Sequence, residues 1–503
     1  MEEVIVPIIY EENKTKVVAD LKAGQLDYAE LSQWSFQDKF FAFLLATRFF
    51  EVCGASYPTP RKKEEVPIWF LLMCMVQMKL HTTAAFHKLP GILRNGPIMS
   101  RVKFNIGGVN GGFNNKNEKD RDVPIDYDTA RKFFKDTDSF KLESWHNRDV
   151  QQFIKHNRGF DKHGIFILDQ THVVVPDNPN YKDAVWMAVD EHGQRIDTSN
   201  MTDDQKKVIR YRLCYALSEL LHVGKEDKNF IFAGYKLSPG NKDDLVDGKI
   251  LVNEFVDVVG KGVMKLLITD RGYIDGAFIT TVKEDLGSDI LMPLKSNMTA
   301  LTDSIQIAES FKYKWSDYGS YVKDGVTYVE EVTVIEEMRM WDECNVPLYV
   351  SIMRISGSNG SRQYWGLAST MKPQNSKEAF ELYALRTQIE ERHRQVKTFW
   401  NIREFTSPNA SLIEAHVLFT LLTYSMIQLY LTKNHLQELT NKTIQTLHHE
   451  ESLGTNAVIT YSNKYFAVID LNDYSEILVN LEGEAKERFK KWHSVFKLSK
   501  TID

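Results

Sequence analysis

The sequence predicts an α/β protein with more than one domain, and three segments carry that expectation. GIFILDQTH is apolar from Ile165 to Leu168 and then meets Asp169. MKLLITDRGY is apolar from Leu266 to Ile268 and then meets Asp270, Arg271 and Gly272. Short apolar runs of this kind read as buried strands. The third segment, YALRTQIEERHRQVK from Tyr383, has helical spacing. At 503 residues the chain exceeds the usual size of a single domain.

Taken in order, residues 1–125 read as mostly helical. Phe36 to Phe50 is rich in aromatics, Pro58, Pro60 and the charged run Arg61 to Glu65 break it, and a second helix starts at Pro67. HTTAAFHKLPGILRNGP reads as a helix-turn-helix pair ending near Gly96, and NIGGVNGGFNNKNEKD as a linker. A core begins near Gly159, and residues 159–295 form its first part. In VIRYRLCYALSELLHV, Ile209, Tyr211, Leu213, Tyr215 and Leu217 alternate like a strand, while Leu213, Leu217 and Leu220 also fit a helix. NFIFAGYKL is a clearer strand, SPGNKDD turns into a helix over Leu245 to Val259, and ILMPLK is a further strand.

Residues 296–372 change in texture. YVKDGVTYV is a hairpin signal with Asp324-Gly325 at its turn, and PLYVSIMRI and QYWGLAS are further strands, so this reads as a β-rich insertion. Residues 373–440 return to helix. Asn375 with Glu378 resembles a capping box, and no Gly or Pro follows before Pro408, which predicts one continuous helix. Residues 441–503 read as a C-terminal helical region. Its basic stretch, Lys486 to Lys500 around Phe489, Trp492 and Phe496, is the clearest candidate for DNA contact, but reads first as an ordinary amphipathic helix with a solvated face.

Tyr383, Arg386, Glu390 and Lys397 lie at offsets of three, seven and fourteen, which return to one helix face. An aromatic, two cations and a carboxylate suit a surface that holds a metal and grips phosphates. Arg386 and Glu390 also fit a plain solvated ion pair. Each aspartate fits equally a carboxylate at a strand end or a turn former. Together, two such aspartates and a helix-borne glutamate offer oxygen ligands for two Mg²⁺ or Mn²⁺ ions. Glu391 lies about 100° round the helix from Glu390.

At this point the chain resembles a family. Y-x2-R-x3-E-x6-K, met by Tyr383, Arg386, Glu390 and Lys397, looks like the signature of DDE transposases of the insertion-sequence-four type. LDQT and TDRGY look like that family's two aspartate segments, with Gln170 standing where a small residue is more usual. The resemblance implies a ribonuclease-H-like catalytic core, in which VIRYRLCYALSELLHV is a strand. It implies cut-and-paste movement of a DNA element with terminal inverted repeats into target DNA, by a homodimer in the DNA complex. Asp169, Asp270 and Glu390 would be the catalytic metal ligands. Tyr383, Arg386 and Lys397 would hold DNA, with Arg271, His393 and Arg394 nearby.

Within the β-rich insertion, which hairpin-forming members of the family carry, Trp341 and Trp365 are candidates to stack on an unpaired base, worth roughly 1–3 kcal/mol. The plainer reading, which the sequence favours, is that they pack on the insertion's own sheet. Part of 1–125 would recognise the element ends, or would only brace the core. Two rival functions share these features: a ribonuclease-H-like nuclease that cuts without joining, and a DNA-binding remnant without catalysis.

Charge and cysteines bound the setting. A net charge of −6 is unhelpful for a DNA binder, so basic surface must be locally segregated. Cys53, Cys74, Cys214 and Cys344 have no CxxC spacing, which argues against a zinc site and fits a reducing cytosol. With the resemblance, this suggests a bacterial, nucleoid-associated protein. The start, MEEVIVPIIYEE, is not signal-like, and the apolar runs Pro67 to Leu80 and Val417 to Leu431 are too short or too polar for a bilayer. Both predict buried core helices.

Overall fold

A computed structural model describes residues 9–487, with its longest break at 95–124. The other breaks are at 11–13, 24–25, 34–35, 64–65, 190–195, 197, 199–200, 225–227, 312, 340, 451–454, 462–464, 471–474, 476–478, 481 and 485. The linker expected around Asn105 to Asp120 and the basic stretch beyond Glu487 lie outside the described residues. The chain forms two compact units, Met1–Phe134 with Lys442–Asp503, and Lys135–Asn441.

In the first unit, helices Phe36–Ala46, Phe49–Ala55, Ile68–Leu80 and Tyr127–Asp136 enclose a phenylalanine-rich core that includes Phe40, Phe70 and Phe134. The helical reading of both ends needs correction. Strands Ile9–Tyr10, Tyr465–Asp470, Thr455–Tyr461 and Leu26–Gln33 lie in that order in one sheet. TNAVITY and YFAVID are β-branched and aromatic, so they pair as a hairpin. LDYAELSQ joins them as a strand because its partner comes from the far end of the chain, a contact local periodicity does not report. Of the expected helix-turn-helix pair, the described residues hold only the short turn Phe86–Lys88 and the six-residue helix Leu89–Arg94.

The second unit is built on one ten-stranded sheet. Its strands are β1 (Gly164–Val174), β2 (Val185–Ala188), β3 (Tyr211–Val223), β4 (Phe230–Pro239), β5 (Met264–Thr269), β6 (Asp289–Pro293), β7 (Ser316–Lys323), β8 (Val326–Met338), β9 (Leu348–Gly357) and β10 (Arg362–Ser369). The helices that matter for the site are α1 (Asp244–Val259), α2 (Thr299–Ser310), α3 (Glu378–Ala384), α4 (Thr387–Thr398) and α5 (Ala410–Lys433).

β1, β3 and β4 form an antiparallel meander, and β5 and β6 add in parallel on the other side of β1. The resulting order β4-β3-β1-β5-β6, with α1 crossing over between β4 and β5, is the ribonuclease-H-like arrangement. The ambiguous VIRYRLCYALSELLHV resolves as a strand, β3, because both of its flanks are paired. The segment expected as a β-rich insertion continues the same sheet through β10 on β6, followed by β9, β8 and β7. Its Val350 and Ile352 pack in one core cluster with Phe166, Leu168, Leu251 and Phe255. Asp324 and Gly325 turn the β7–β8 hairpin with φ of 51° and 77°, as that dipeptide predicts.

Two helical expectations change. The single helix expected after Asn375 is broken into α3 and α4. Between them Leu385, Arg386, Gln388 and Ile389 donate backbone bonds three residues back, a tighter winding than an α-helix. The box itself does not close: Asn375 Oδ1 accepts from Glu378 N at 3.1 Å, but Glu378 Oε2 accepts from Gln374 N, and the residue before α3 is Lys377, which makes no side-chain cap. Asn401, at φ 53°, turns the chain away after α4. The run around Val417 belongs to a helix of 24 residues, longer than its apolar stretch suggested. By length and composition α5 is apolar enough to cross a membrane, at a mean hydropathy of 1.4, but 89% of that window is buried inside the fold. It is a core helix, packed on β4.

Candidate active site

Asp169 is not at a strand end as expected. β1 runs on to Val174, and Asp169 falls where its parallel neighbour β5 stops, Leu168 pairing with Thr269. Asp270 is the next residue beyond β5, so both carboxylates emerge at one level, at the carboxyl end of the parallel strand. Asp270 also does a turn former's work, its Oδ1 accepting from Gly272 N at 2.7 Å.

The tight turn between α3 and α4 brings Arg386 over these two residues. Its Nη2 lies 3.8 Å from Asp169 Oδ2 and 4.0 Å from Asp270 Oδ2, and its Nη1 lies 2.5 Å from Glu390 Oε1. One guanidinium therefore touches all three carboxylates, which stand 101 and 120 positions apart in sequence (270 − 169, 390 − 270). They border a cleft of about 610 Å³, together with Gln170, His172, Asn241, Asp244 and Gly272. Glu391 turns away to Arg394 and Gln395.

The charges are perturbed as crowding requires. Burial pushes the Asp169 carboxyl up to about 6, opposed by the charges of His393 and Arg386 and reinforced by Asp270. Burial also raises Asp244, with the Asp270 charge next in weight. Arg386 is held above its ordinary value, because Asp169, Tyr383 and Glu390 outweigh the opposing effect of burial. The cleft lining includes five carboxylates (Asp169, Asp243, Asp244, Asp270 and Glu390) and two carboxamides (Gln170 and Asn241), oxygen donors of the kind hard divalent cations take. Among the described residues, no three acidic, histidine or cysteine side chains close up into a ready chelate. Arg386 is the cation among them instead. The donor set fits a divalent ion once the guanidinium swings aside.

Several expected DNA contacts are placed differently. Lys397 is buried on β1, its Nζ bonded to Thr171 Oγ1, and is not on the open face with Arg386. His393 is buried too, with Nε2 at 2.5 Å from Glu219 Oε2. Both corrections have one cause: the face of α4 that carries His393 and Lys397 packs on the sheet. Trp365 packs on Phe380 and Tyr383, with centroids 5.1 and 5.8 Å apart. Trp341 packs against the central core. Tyr383 is half-buried, and burial pushes its phenol up to about 12. Arg271 is exposed beside Asp270, and Arg394 is exposed and pairs with Glu391 at 2.7 Å. Gln170 turns its amide to Ser218 Oγ at 3.1 Å, away from the carboxylates.

Sequence reasoning missed Asp244 and Glu219. Asp243 caps Leu245 N, with Asp244 Oδ1 also 3.0 Å from it, and a cap reading absorbs a doubled Asp at a helix start. The Asp244 carboxylate lies so close to Gly272 that a Cβ there would fall 2.0 Å from Oδ2, so any side chain at 272 would push Asp244 aside. Glu219 had a visible signal, a lone carboxylate in the apolar run YALSELLHV.

Residues 161–426, just over half of the chain, match the family described as transposase DDE domain. The chain belongs to that family. The transposase domain thus spans the whole run from before β1 into α5, with all three carboxylates inside it. None of the curated proteins matches the sequence. Among solved structures, the cryo-EM synaptic complex of the piggyBac transposase with hairpin DNA is similar at a TM-score of 0.38 and 8% identity, over 85% of this chain and 83% of that one.

Proposed function

We propose that the chain is a DNA transposase of the insertion-sequence-four type, moving its element by cut and paste. The observation that carries this reading is the convergence of Asp169, Asp270 and Glu390 on one guanidinium, inside a domain of the transposase family. These three side chains would hold two Mg²⁺ or Mn²⁺ ions, with Asp244 beside them. Bound there, divalent ions activate an attacking oxygen and stabilise a leaving one in phosphodiester displacement.

The protein's own part is to position and to neutralise. A water attacks the phosphorus at the element end, the P–O3′ bond breaks, and the strand leaves as a 3′ hydroxyl. That hydroxyl then attacks phosphorus in a second strand, and another P–O3′ bond breaks. Arg386, displaced from the carboxylates, is placed to meet the phosphate charge of the transition state. Exposed Arg271 is placed to hold the flanking backbone. Element ends and target DNA are the partners, with a second copy of the chain in the complex. The segregation of functions follows the segments 1–125, 159–295, 296–372, 373–440 and 441–503, with end recognition in the first.

Asp169→Asn, Asp270→Asn and Glu390→Gln should each abolish cleavage of an end-bearing duplex, while binding of that duplex stays within a few-fold, because affinity comes mostly from phosphate contacts elsewhere. Near-wild-type cutting in Mg²⁺ by any one of them sinks the reading. Cleavage without joined products would instead point to a nuclease that does not transfer strands.

A further inference from the structure

Beside the cleft lies a buried pair that the proposed chemistry does not use. Glu219 sits in β3 directly opposite Asp169 of β1. Opposed residues of an antiparallel ladder project to the same face with Cβ atoms about 4.5–5.5 Å apart. The two carboxylates are therefore neighbours on the face that α4 covers. His393, one turn beyond Glu390, brings its Nε2 to 2.5 Å from Glu219 Oε2. The two side chains are 3% and 0% exposed. Neither Glu219 oxygen has an aligned hydrogen-bond partner among the described residues, so His393 is what compensates its burial.

Two weaker contacts set the same helix on the same strands. Arg386 approaches Asp169, and Lys397 bonds Thr171 two residues further along β1. Glu390 itself is held only by Arg386 among the described residues, and its side chain is 47% exposed. Metal binding would release that contact. The height of Glu390 above the two aspartates must then be fixed from elsewhere on α4, and among the described residues the contact there between two buried, oppositely chargeable groups is His393 with Glu219.

We propose that Glu219 and His393 are positioning residues, which lock the register of α4 on the β1–β3 pair and thereby set the distance of Glu390 from Asp169 and Asp270. This rests on the reading of those three carboxylates as metal ligands. The pair stands behind the ligands, as hydrogen-bonded outer groups do in metal sites, where their loss typically lowers metal affinity about 10–100-fold. A mismatch in one partner leaves a buried polar group uncompensated, which α4 can relieve only by shifting.

The test is calorimetric titration of the full chain with Mn²⁺, beside its thermal midpoint. His393→Gln and Glu219→Gln should each weaken Mn²⁺ binding about tenfold. The double variant, whose two amides share a hydrogen bond without charge, should return to within about threefold of wild type. Glu219→Asp keeps the charge but withdraws it by one methylene, and should fold with intermediate affinity. If the single glutamine variants do not fold, Glu219→Asp decides alone. Wild-type Mn²⁺ affinity in the folded variants, with only lower midpoints, overturns the proposal and leaves the pair a stabilising contact. Mn²⁺ uptake that survives Asp169→Asn overturns the ligand reading itself, a distinguishable failure.

Discussion

On the proposed reading, Arg386 should have opposite effects on metal and on DNA. With its guanidinium within 4.0 Å of Asp169, Asp270 and Glu390, it competes directly with any cation those oxygens take up. Arg386→Ala should therefore raise Mn²⁺ affinity several-fold in calorimetry. The same substitution should weaken DNA binding and lower the slope of log affinity against log salt by roughly one, for one lost phosphate contact. Lys397 behaves differently because it is buried on Thr171. Lys397→Met should leave that slope unchanged in gel-shift assays across a salt series. A slope reduced equally by both variants would return Lys397 to the DNA face. The sequence could not separate them: helical offsets report which residues share a face, not whether that face meets solvent or a sheet.

Among the elements, those whose pattern is set by near neighbours were legible. The β7–β8 hairpin is the clearest, since Asp324 and Gly325 both adopt positive φ. Gly325→Val should cost about 1–2 kcal/mol, the penalty of a side chain in that conformation, and lower the midpoint by a few degrees. An unchanged midpoint in calorimetry would mean that the turn relaxes without loss. The strands that carry Asp169 and lead to Asp270 were legible for the same reason, as dense apolar runs, although β1 runs past Asp169 to Val174.

Elements fixed by distant partners were not. LDYAELSQ is a strand only because TNAVITY pairs with it from the other end of the chain. The break between α3 and α4 has no Gly or Pro to announce it. Every residue from Ala384 to Gln388 is compatible with helix, and the tighter turn comes from packing. That packing includes Trp365 of β10 against Phe380 and Tyr383, which ties the segment after β6 to the turn that carries Arg386.

On the scale of the whole catalytic unit, buried titratable groups of both kinds predict a stability optimum. Burial pushes Glu414 up to about 8, although its bond from Tyr235 Oη at 2.6 Å pulls the other way, and pushes Asp169 up to about 6. Both lie above their ordinary values, so the stability they contribute is fully present at low pH and is lost as pH rises through about 6 and then about 8. His146 and His222 are buried and lowered to about 4, chiefly by burial. For them the sign is reversed: stability is present above their ordinary value of 6.5 and is lost as pH falls toward about 4. The two losses leave a maximum near pH 6. Each tenfold change in proton affinity is worth about 1.4 kcal/mol; the carboxyl and histidine windows overlap between about 4 and 6.5, so the acid limb is shallow and the alkaline limb carries most of the change in midpoint. Scanning calorimetry between pH 4 and 9 should trace this dome. Glu414→Gln, which removes the largest alkaline contribution while keeping an acceptor for Tyr235, should flatten the alkaline limb and steepen the acid limb, because Glu414 no longer opposes the histidines between about 4.5 and 6.5. A wild-type midpoint that keeps rising from pH 6 to pH 9 would show that Glu414 and Asp169 are compensated in the fold by contacts other than those seen here.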